Sequence, residues 1–256
     1  MEKIKKILQN IDKDRFVTGA VLICLIFFVG WIDSYLVMWL FLGIAFLFSF
    51  YEAMKLFAIE GNEYYGYAAL LWLISLFYSN PDDLLFLVLI TLSSWMIYKG
   101  DIDFKRLYVF LYPTASFLFL LALYKGFGMD AVIWLVIVVA LTDTGAYFTG
   151  RAIGKTPFCE ISPKKTWEGV FGGVLIATIA GTFYGLSFVS PILAILISFI
   201  VSFVSVFGDL FESYLKRQAG VKDSGSVLPG HGGVLDRMDG YLFAGIFMVI
   251  LLRGLA

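Results

Sequence analysis

Charged residues are scarce in this chain, and histidine and cysteine are scarcer still. Of its 256 residues, 15% are charged and 60% are hydrophobic, which excludes an ordinary soluble domain and indicates a polytopic membrane protein. The two cysteines, Cys24 and Cys159, lie far apart without C-x-x-C spacing, so neither a disulfide nor a zinc site is predicted. His231 is the only histidine, and Ser, His and Asp residues do not stand in a credible order for a catalytic triad.

Long apolar segments follow one another along the chain, and a helix needs about 20 such residues to cross a bilayer. The pattern predicts an all-α, polytopic integral membrane protein with about nine transmembrane helices. The approximate spans are 16–31, 35–54, 65–79, 84–98, 107–124, 130–149, 168–187, 191–215 and 239–255.

The N-terminal residues 1–15 predict a short basic amphipathic helix that lies on the membrane surface. Further spans follow at once and a small-residue cleavage site is not evident, so we expect the first span to be retained. Residues 16–256 are then a single transmembrane domain, whose motif-bearing catalytic part is about 130–256.

Basic residues are concentrated on alternate connections between the spans. If the N-terminus is cytoplasmic, all but two of the 19 Lys and Arg residues fall on cytoplasmic segments, the exceptions being Lys125 and Arg253. The long polar connections 150–167 and 216–238 both emerge on that side. A polar active-site cavity facing the cytoplasm is therefore predicted.

Asp143 lies inside an apolar span, where an Asp costs about 2.5–3.5 kcal/mol. We expect it to face a polar cavity or a cation, with a helix–helix hydrogen bond or a buried ion pair as the structural alternative. Gly145, Gly150 and Gly154 permit close backbone approach, and helix packing is the alternative for them. The Gly-Lys-Thr sequence at 154–156 does not predict a P-loop, because it follows a membrane helix rather than a strand.

The segment 162–169, SPKKTWEG, places Ser162, Lys164 and Lys165 just before a predicted helix. Paired lysines, hydroxyls and a helix N-terminus together predict a phosphate-binding site. Positive-inside topology alone is the alternative. Glu168, in the first turn, is either a capping residue or a residue that supports a metal ligand.

Asp209, Glu212, Ser213 and Lys216 recur at i, i+3, i+4 and i+7, so they share one helix face. A solvated face is the alternative, but the apolar residues around them favour a stripe that lines a cavity.

The sequence PGHGG at 229–233 predicts a tight loop whose backbone N–H groups can bind anions. Asp236 and Asp239 follow it, and with Asp209 they can supply the oxygen ligands that Mg²⁺ prefers. His231 is either a turn residue or a substrate contact. Carboxylates for a metal and lysines for anions on one membrane face favour phosphoryl or nucleotidyl transfer, and the hydrophobic composition indicates a lipid acceptor.

Residues 213–239 resemble the signature of the phosphatidate cytidylyltransferase family, also called CDP-diacylglycerol synthases. The matching elements are Ser213, Lys216-Arg217, Lys222-Asp223, the PGHGG sequence, Leu235-Asp-Arg237 and Asp239. Segments 143–147, 162–169 and 208–213 are also similar to the family, so the resemblance covers about 142–240.

This resemblance implies transfer of CMP from CTP to phosphatidic acid, giving CDP-diacylglycerol and pyrophosphate in phospholipid biosynthesis. It implies Mg²⁺ as cofactor, with a two-metal centre and K⁺ as further expectations. It also implies a homodimer in the bilayer of a bacterial cytoplasmic membrane, without a nucleic-acid partner. The implied catalytic residues are Asp143, Asp209, Lys216, Asp236 and Asp239, with Asp209 and Asp236 as metal ligands. The implied substrate-binding residues are Ser162, Lys164, Lys165, Arg217, Lys222, His231, Gly232 and Arg237.

Two other functions stay open at this point. One is a related CTP-dependent transferase that acts on a polyprenol or an archaeal ether lipid. The other is a membrane transporter, which would place Asp143 and Asp209 near the middle of the bilayer rather than at one end.

Overall fold

The computed structural model describes residues 13–255, and this part of the chain is helical without a named strand. The predicted all-α fold is confirmed. The predicted surface helix 1–15 falls mostly on residues 1–12, outside the described part. The helices are α1 (Lys13–Ile32), α2 (Tyr35–Leu56), α3 (Glu63–Phe77), α4 (Leu84–Lys99), α5 (Phe104–Val109), α6 (Ser116–Ile153), α7 (Trp167–Gly185), α8 (Pro191–Gln218) and α9 (Leu235–Leu255). A 3-10 turn (Pro81–Asp83) precedes α4, and a π-helical turn (Phe110–Ala115) joins α5 to α6.

Six stretches within the described residues are long and apolar enough to cross a membrane, so the protein is a polytopic membrane protein. They are Tyr35–Leu56, Pro81–Lys99, Phe104–Ile153, Trp167–Gly185, Pro191–Gln218 and Leu235–Leu255. Each of the nine predicted spans coincides with helical residues, but α3 and the apolar part of α1 are shorter than the six membrane-crossing stretches. The count of nine stays a prediction.

The long stretch 104–153 reverses direction at Gly128. Gly128 has φ 77° and ψ −175°, a conformation open to glycine and rare for other residues. Leu120 and Leu135 would be about 22 Å apart along a straight helix. Both instead lie against Gly245 of α9, within 4 Å of where its Cβ would be. The stretch is therefore a helical hairpin, which agrees with two predicted spans there.

Contacts between connections divide the bundle into two ends. One end holds Lys125 and Arg253, the two basic residues that the charge pattern does not place on the cytoplasmic side. Its contacts join Tyr124 to Asp33, Lys125 to Tyr78, and Arg253 to Asp82. The other end holds the long polar connections, where Thr18 bonds Pro229 and Lys165 bonds Asp209. The structure thus sorts the connections into the same two sets as the charge pattern, while their sides of the membrane stay predicted.

Glycines allow the helices around the long connections to cross closely. A Cβ on Gly145 of α6 would lie 3.0 Å from the Cα of Gly173 in α7. A Cβ on Gly150 would lie 3.5 Å from the Cα of Gly169, and one on Gly208 of α8 would overlap the carbonyl oxygen of Asp239 in α9. Helix packing, the alternative for Gly145 and Gly150, is what the structure shows.

Candidate active site

The predicted site residues of three separate segments meet at one end of the bundle. Asp143 comes from α6, Asp209 from α8, and Lys164 and Lys165 from the connection 154–166. All four line one cavity of about 430 Å³. A cavity with both carboxylates and ammonium groups on its wall can receive a metal ion together with an anionic substrate.

Lys165 and Asp209 form an ion pair in this cavity, with Nζ 2.5 Å from Oδ2. The Ser213 hydroxyl donates to Oδ1 of the same carboxylate at 3.3 Å, across the i, i+4 spacing of α8. Both charged side chains keep about a quarter of their surface exposed. Lys165 can therefore be reached by an anion from the cavity while Asp209 keeps it in place.

The beginning of α7 holds the connection that carries these lysines. The Thr166 hydroxyl caps the helix by accepting from the Gly169 N–H at 3.1 Å. The Glu168 carboxylate accepts from the backbone N–H of Lys155 at 3.1 Å and from the Thr156 hydroxyl at 2.9 Å. Glu168 therefore fixes the start of the connection, while Thr166 supplies the cap of α7.

Lys216 points into the protein rather than into a cavity. Its Nζ lies 2.9 Å from Oε2 of Glu212 and 2.7 Å from Oδ1 of Asp236, and the side chain is 12% exposed. In this structure Lys216 joins α8 to the first turn of α9. Its predicted contact with a substrate phosphate stays a prediction.

Asp236 organises the connection 219–234 around its carboxylate. Oδ2 accepts from the Ser224 N–H at 2.9 Å, the Ser224 hydroxyl at 3.0 Å and the Gly233 N–H at 2.7 Å. With Lys216 on Oδ1, both oxygens of Asp236 have partners. A metal ion at Asp236 would have to share or replace the position of the Lys216 ammonium.

A second cavity, of about 570 Å³, collects most of the other predicted phosphate ligands. Ser162, Lys164, Arg217 and Lys222 line it. Lys164 lines both cavities, so the two are adjacent. The wall is rich in positive charge and suits a polyphosphate, which carries several negative charges over a short length.

The tip of the connection 219–234 packs on α1. Gly232 has φ 85°, and Arg237 donates to the His231 carbonyl oxygen from Nε at 3.0 Å and from a terminal nitrogen at 2.8 Å. The His231 ring lies 3.7 Å from where a Cβ on Gly19 would be. Neither cavity described above is lined by His231, Gly232 or Arg237. In this structure they shape the turn, and their substrate contacts stay predicted.

Five carboxylates, which we call the acidic row, lie near enough to one another for their charges to interact. They are Asp143, Asp209, Asp239, Glu212 and Asp236. The close α8–α9 crossing at Gly208 sets Asp209 and Asp239 side by side. Oε1 of Glu212 is buried without a hydrogen-bond partner among the described residues.

Lys165, Lys216 and Arg237 carry positive charge next to this row, and Arg151 and Lys164 line the first cavity beside Asp143 and Asp209. Asp209 and Asp236 each already bind an ammonium group within 2.7 Å. Among the described residues, no group of three or more Asp, Glu, His or Cys side chains is arranged to hold a metal ion. Carboxylate oxygens are donors of the type that a hard cation such as Mg²⁺ prefers, but a metal ion at Asp209 or Asp236 would have to displace an ammonium group.

Comparison with known proteins decides the family. Residues 13–255 match the model of the cytidylyltransferase family. The chain belongs to this family.

Curated relatives extend the similarity over nearly the whole chain. A phosphatidate cytidylyltransferase of Helicobacter pylori strain J99 is 41% identical over 244 residues, which covers 94% of this chain and 92% of the relative. A phosphatidate cytidylyltransferase of Bacillus subtilis is 38% identical over 68% of each chain. The chloroplastic phosphatidate cytidylyltransferase 5 of Arabidopsis thaliana is 45% identical over 49% of this chain and 32% of its own.

Sequence reasoning missed Glu52, which lies in α2 and is fully buried. It accepts hydrogen bonds from Ser224, Val234 and Leu235, which lie 172 to 183 residues later in the chain. The available signal was a lone carboxylate in an apolar span, the same signal that indicated Asp143.

Tyr112 was missed as well. It lies on the π-helical turn beside Pro113, and its hydroxyl is buried without a partner among the described residues. The charges of Glu212 and Asp239 act on it, so its side chain lies beside the inner part of the acidic row. π-helical turns are frequent at functional sites, but the sequence does not reveal one in advance.

Proposed function

We propose that this protein transfers CMP from CTP to phosphatidic acid, forming CDP-diacylglycerol and pyrophosphate. The observation that carries the proposal is the similarity to the phosphatidate cytidylyltransferase of Helicobacter pylori, which extends over more than nine-tenths of both chains. The cavity that combines Asp143 and Asp209 with Lys164 and Lys165 supports it, because nucleotidyl transfer depends on positioning and on neutralising phosphate charge.

In the proposed reaction a phosphate oxygen of phosphatidic acid attacks the α-phosphorus of CTP. A new P–O bond forms, the bond from the α-phosphorus to the oxygen bridging to the β-phosphate breaks, and pyrophosphate leaves with that electron pair. Lys165 would hold a phosphate oxygen at the first cavity. Lys164, Arg217 and Lys222 would bind the remaining phosphates in the adjacent basic cavity.

We also propose that Mg²⁺ is required, held by Asp209 and Asp236, with Asp143 and Asp239 in support. The ion would neutralise negative charge on the phosphates. Asp209→Asn removes one anionic oxygen donor and should raise the Mg²⁺ concentration for half-maximal activity about tenfold or more. Asp83→Asn, an exposed carboxylate at the other end, is the control and should leave the Mg²⁺ titration unchanged. Identical Mg²⁺ titrations for Asp209→Asn and the unmodified protein would show that Asp209 is not a metal ligand.

The acceptor lipid separates this proposal from its nearest alternative. Purified protein in lipid nanodiscs should be given labelled CTP with phosphatidic acid, an archaeal ether analogue, a polyprenol or a polyprenyl phosphate. We expect a CMP-bearing lipid with phosphatidic acid at a rate well above the others. A faster reaction with a polyprenol or with the ether lipid would show that this lipid, and not phosphatidic acid, is the preferred acceptor.

A transporter is disfavoured by the contact between Asp209 and Lys165. Lys165 belongs to the connection 154–166, so Asp209 lies at the level of a helix end. A transport site would lie near the middle of the bilayer. Uptake of CTP into vesicles without any lipid product would favour the transporter instead.

We place the N-terminus and the site in the cytoplasm, at a bacterial cytoplasmic membrane. The basic residues support this orientation, because 17 of the 19 fall on segments that the charge pattern assigns to one side, the side of the two long polar connections. A homodimer is proposed from the family resemblance alone. Neither nucleic acid nor another macromolecule is part of the proposal.

A further inference from the structure

Glu52 is the only acidic residue in α2, an otherwise apolar helix of 22 residues, and it is fully buried. A carboxylate in such a place is expensive unless it is fully hydrogen-bonded. It lies outside the segments 142–240 that carry the family resemblance, and it lines neither cavity. The contacts of its two oxygens indicate what it does.

The Glu52 carboxylate caps α9 from another helix. Oε1 accepts from the Val234 N–H at 3.1 Å, and Oε2 accepts from the Leu235 N–H at 2.8 Å. These N–H groups stand at the beginning of α9, where the helix itself supplies no acceptor. The negative charge also interacts favourably with the partial positive charge of the helix N-terminus. Glu52 therefore fixes where α9 begins.

The connection before α9 closes around this carboxylate. A Cβ on Gly225 or on Gly233 would lie 2.5 Å from Oε1 of Glu52. Any other residue at either position would have to move the connection or Glu52. Packing therefore requires glycine at these two positions, independently of the hydrogen bonds, because the backbone passes directly over Glu52.

A single hydroxyl links Glu52 to the candidate metal ligand. The Ser224 Oγ lies 3.0 Å from Oε2 of Glu52 and 3.0 Å from Oδ2 of Asp236. Asp236 in turn holds the Gly233 N–H and the Lys216 ammonium. Displacement of Glu52 would therefore move Asp236, although Glu52 itself does not contact either cavity.

We propose that Glu52 is a positioning residue for the transfer reaction: it holds the connection 224–234 and the start of α9 so that Asp236 and Lys216 keep their places. This inference rests on the proposed function for its kinetic part only. It assigns to the N-terminal half of the chain a part in building the site. A purely structural role is the competing explanation, since disrupting a buried, hydrogen-bonded carboxylate leaves its donors unpaired and destabilises the fold wherever it lies.

The test compares Glu52→Gln with two control variants in the full-length protein. Gln turns one acceptor oxygen into a donor that faces the N–H groups of Val234 or Leu235. Asp82→Asn breaks the partly buried ion pair with Arg253 at the opposite end and controls for loss of stability. Glu60→Gln makes the same chemical change at an exposed site.

For Glu52→Gln we expect kcat to fall on the order of 100-fold, as a displaced catalytic group does, with the KM for CTP changed less than about threefold. Amide hydrogen exchange at 224–235 should rise about tenfold or more, while exchange at 78–84 stays the same. Asp82→Asn should lower the Tm without changing kcat, and Glu60→Gln should change neither. If Glu52→Gln lowers the Tm and leaves kcat unchanged, or raises exchange uniformly, the proposal is wrong.

A second variant covers the case in which Glu52→Gln does not fold. Ser224→Ala removes the link between Glu52 and Asp236 but leaves the cap on α9. It should lower kcat in the same direction, and unchanged kcat would contradict the proposed link. If the unmodified protein makes no CDP-diacylglycerol, the proposed function has failed. The exchange measurement would still decide whether Glu52 holds the connection.

Discussion

At the scale of single residues, the site depends on charged side chains that hold one another in place. Lys165 is the clearest example, because Asp209 fixes its ammonium group at a cavity wall while leaving part of it exposed. A lysine held in this way loses little further freedom when it binds a phosphate, so it can contribute more than a freely moving surface lysine.

Lys165→Met should therefore lower kcat/KM for CTP by about 10²–10³, the usual loss when one positioned charge-stabilising group is removed. The matched control is Lys155→Met, since Lys155 is an exposed lysine of the same connection and lines neither cavity. It should change kcat/KM by less than about threefold. Rates from labelled CTP at saturating lipid measure both. Equal losses in the two variants would mean that general positive charge, not position, is what matters.

The sequence predicted which polar residues lie together better than it predicted their hydrogen-bond and ion-pair partners. Asp143, Lys165 and Asp209 do meet, because polar residues in a hydrophobic chain must gather where water or a partner is available. Lys216 was expected at the substrate, yet it pairs with Asp236 twenty residues away. Such pairings depend on how separate helices pack against each other, and helix periodicity does not predict that packing.

At the scale of helices, close crossings set the positions of the carboxylates. The crossing of α8 and α9 at Gly208 puts Asp209 beside Asp239. The crossing of α6 and α7 at Gly145 and Gly173 holds Asp143 beside the start of α7. Backbones can approach this closely only where Cβ atoms are absent.

Gly208→Ala should push α9 away from α8, because the new methyl group would overlap the Asp239 carbonyl. We expect a loss of about 1–3 kcal/mol in the free energy of unfolding, together with reduced activity. Gly66→Ala is the control: Gly66 lies in α3 with no atom within 4 Å of the added Cβ, so stability should hold or rise slightly. Thermal unfolding in detergent compares them. A Gly208→Ala protein as stable as the control would show that this crossing is loose.

Helix positions were largely predictable, whereas their connections were not. Each predicted span coincides with helical residues because apolar length is a strong signal. The reversal at Gly128 was implied only by the span count, since one glycine has no distinctive pattern around it. The π-helical turn at Tyr112 and the cap that Glu52 supplies to α9 depend on tertiary contacts, so neither could be read from local sequence.

At the scale of the whole molecule, the two ends of the bundle differ in chemistry. One end carries both cavities and the acidic row, and the other carries isolated pairs such as Arg253 with Asp82. Since CTP is a soluble anion of the cytoplasm, the proposed function requires that the first end face the cytoplasm.

The native cysteines allow this orientation to be tested. Cys159 lies in the connection 154–166, whereas Cys24 lies in the apolar helix α1. In a Cys24→Ser background, a membrane-impermeant maleimide should label Cys159 in inverted vesicles and not in right-side-out vesicles. A Ser190→Cys variant that also carries Cys159→Ser should give the opposite result, because residue 190 lies at the other end. Labelling of Cys159 from outside would reverse the proposed topology.

The central claim is that this chain moves CMP, and not a terminal phosphate, from CTP to phosphatidic acid. The most direct measurement is to supply purified protein with CTP labelled either at the α-phosphate or at the γ-phosphate. The α label should appear in a lipid that co-migrates with CDP-diacylglycerol, and the γ label should appear in pyrophosphate in equal amount. At a Mg²⁺ concentration that limits the reaction, Asp209→Asn should reduce both products together. The γ label in the lipid fraction, or a complete absence of labelled lipid from active, folded protein, would contradict the account.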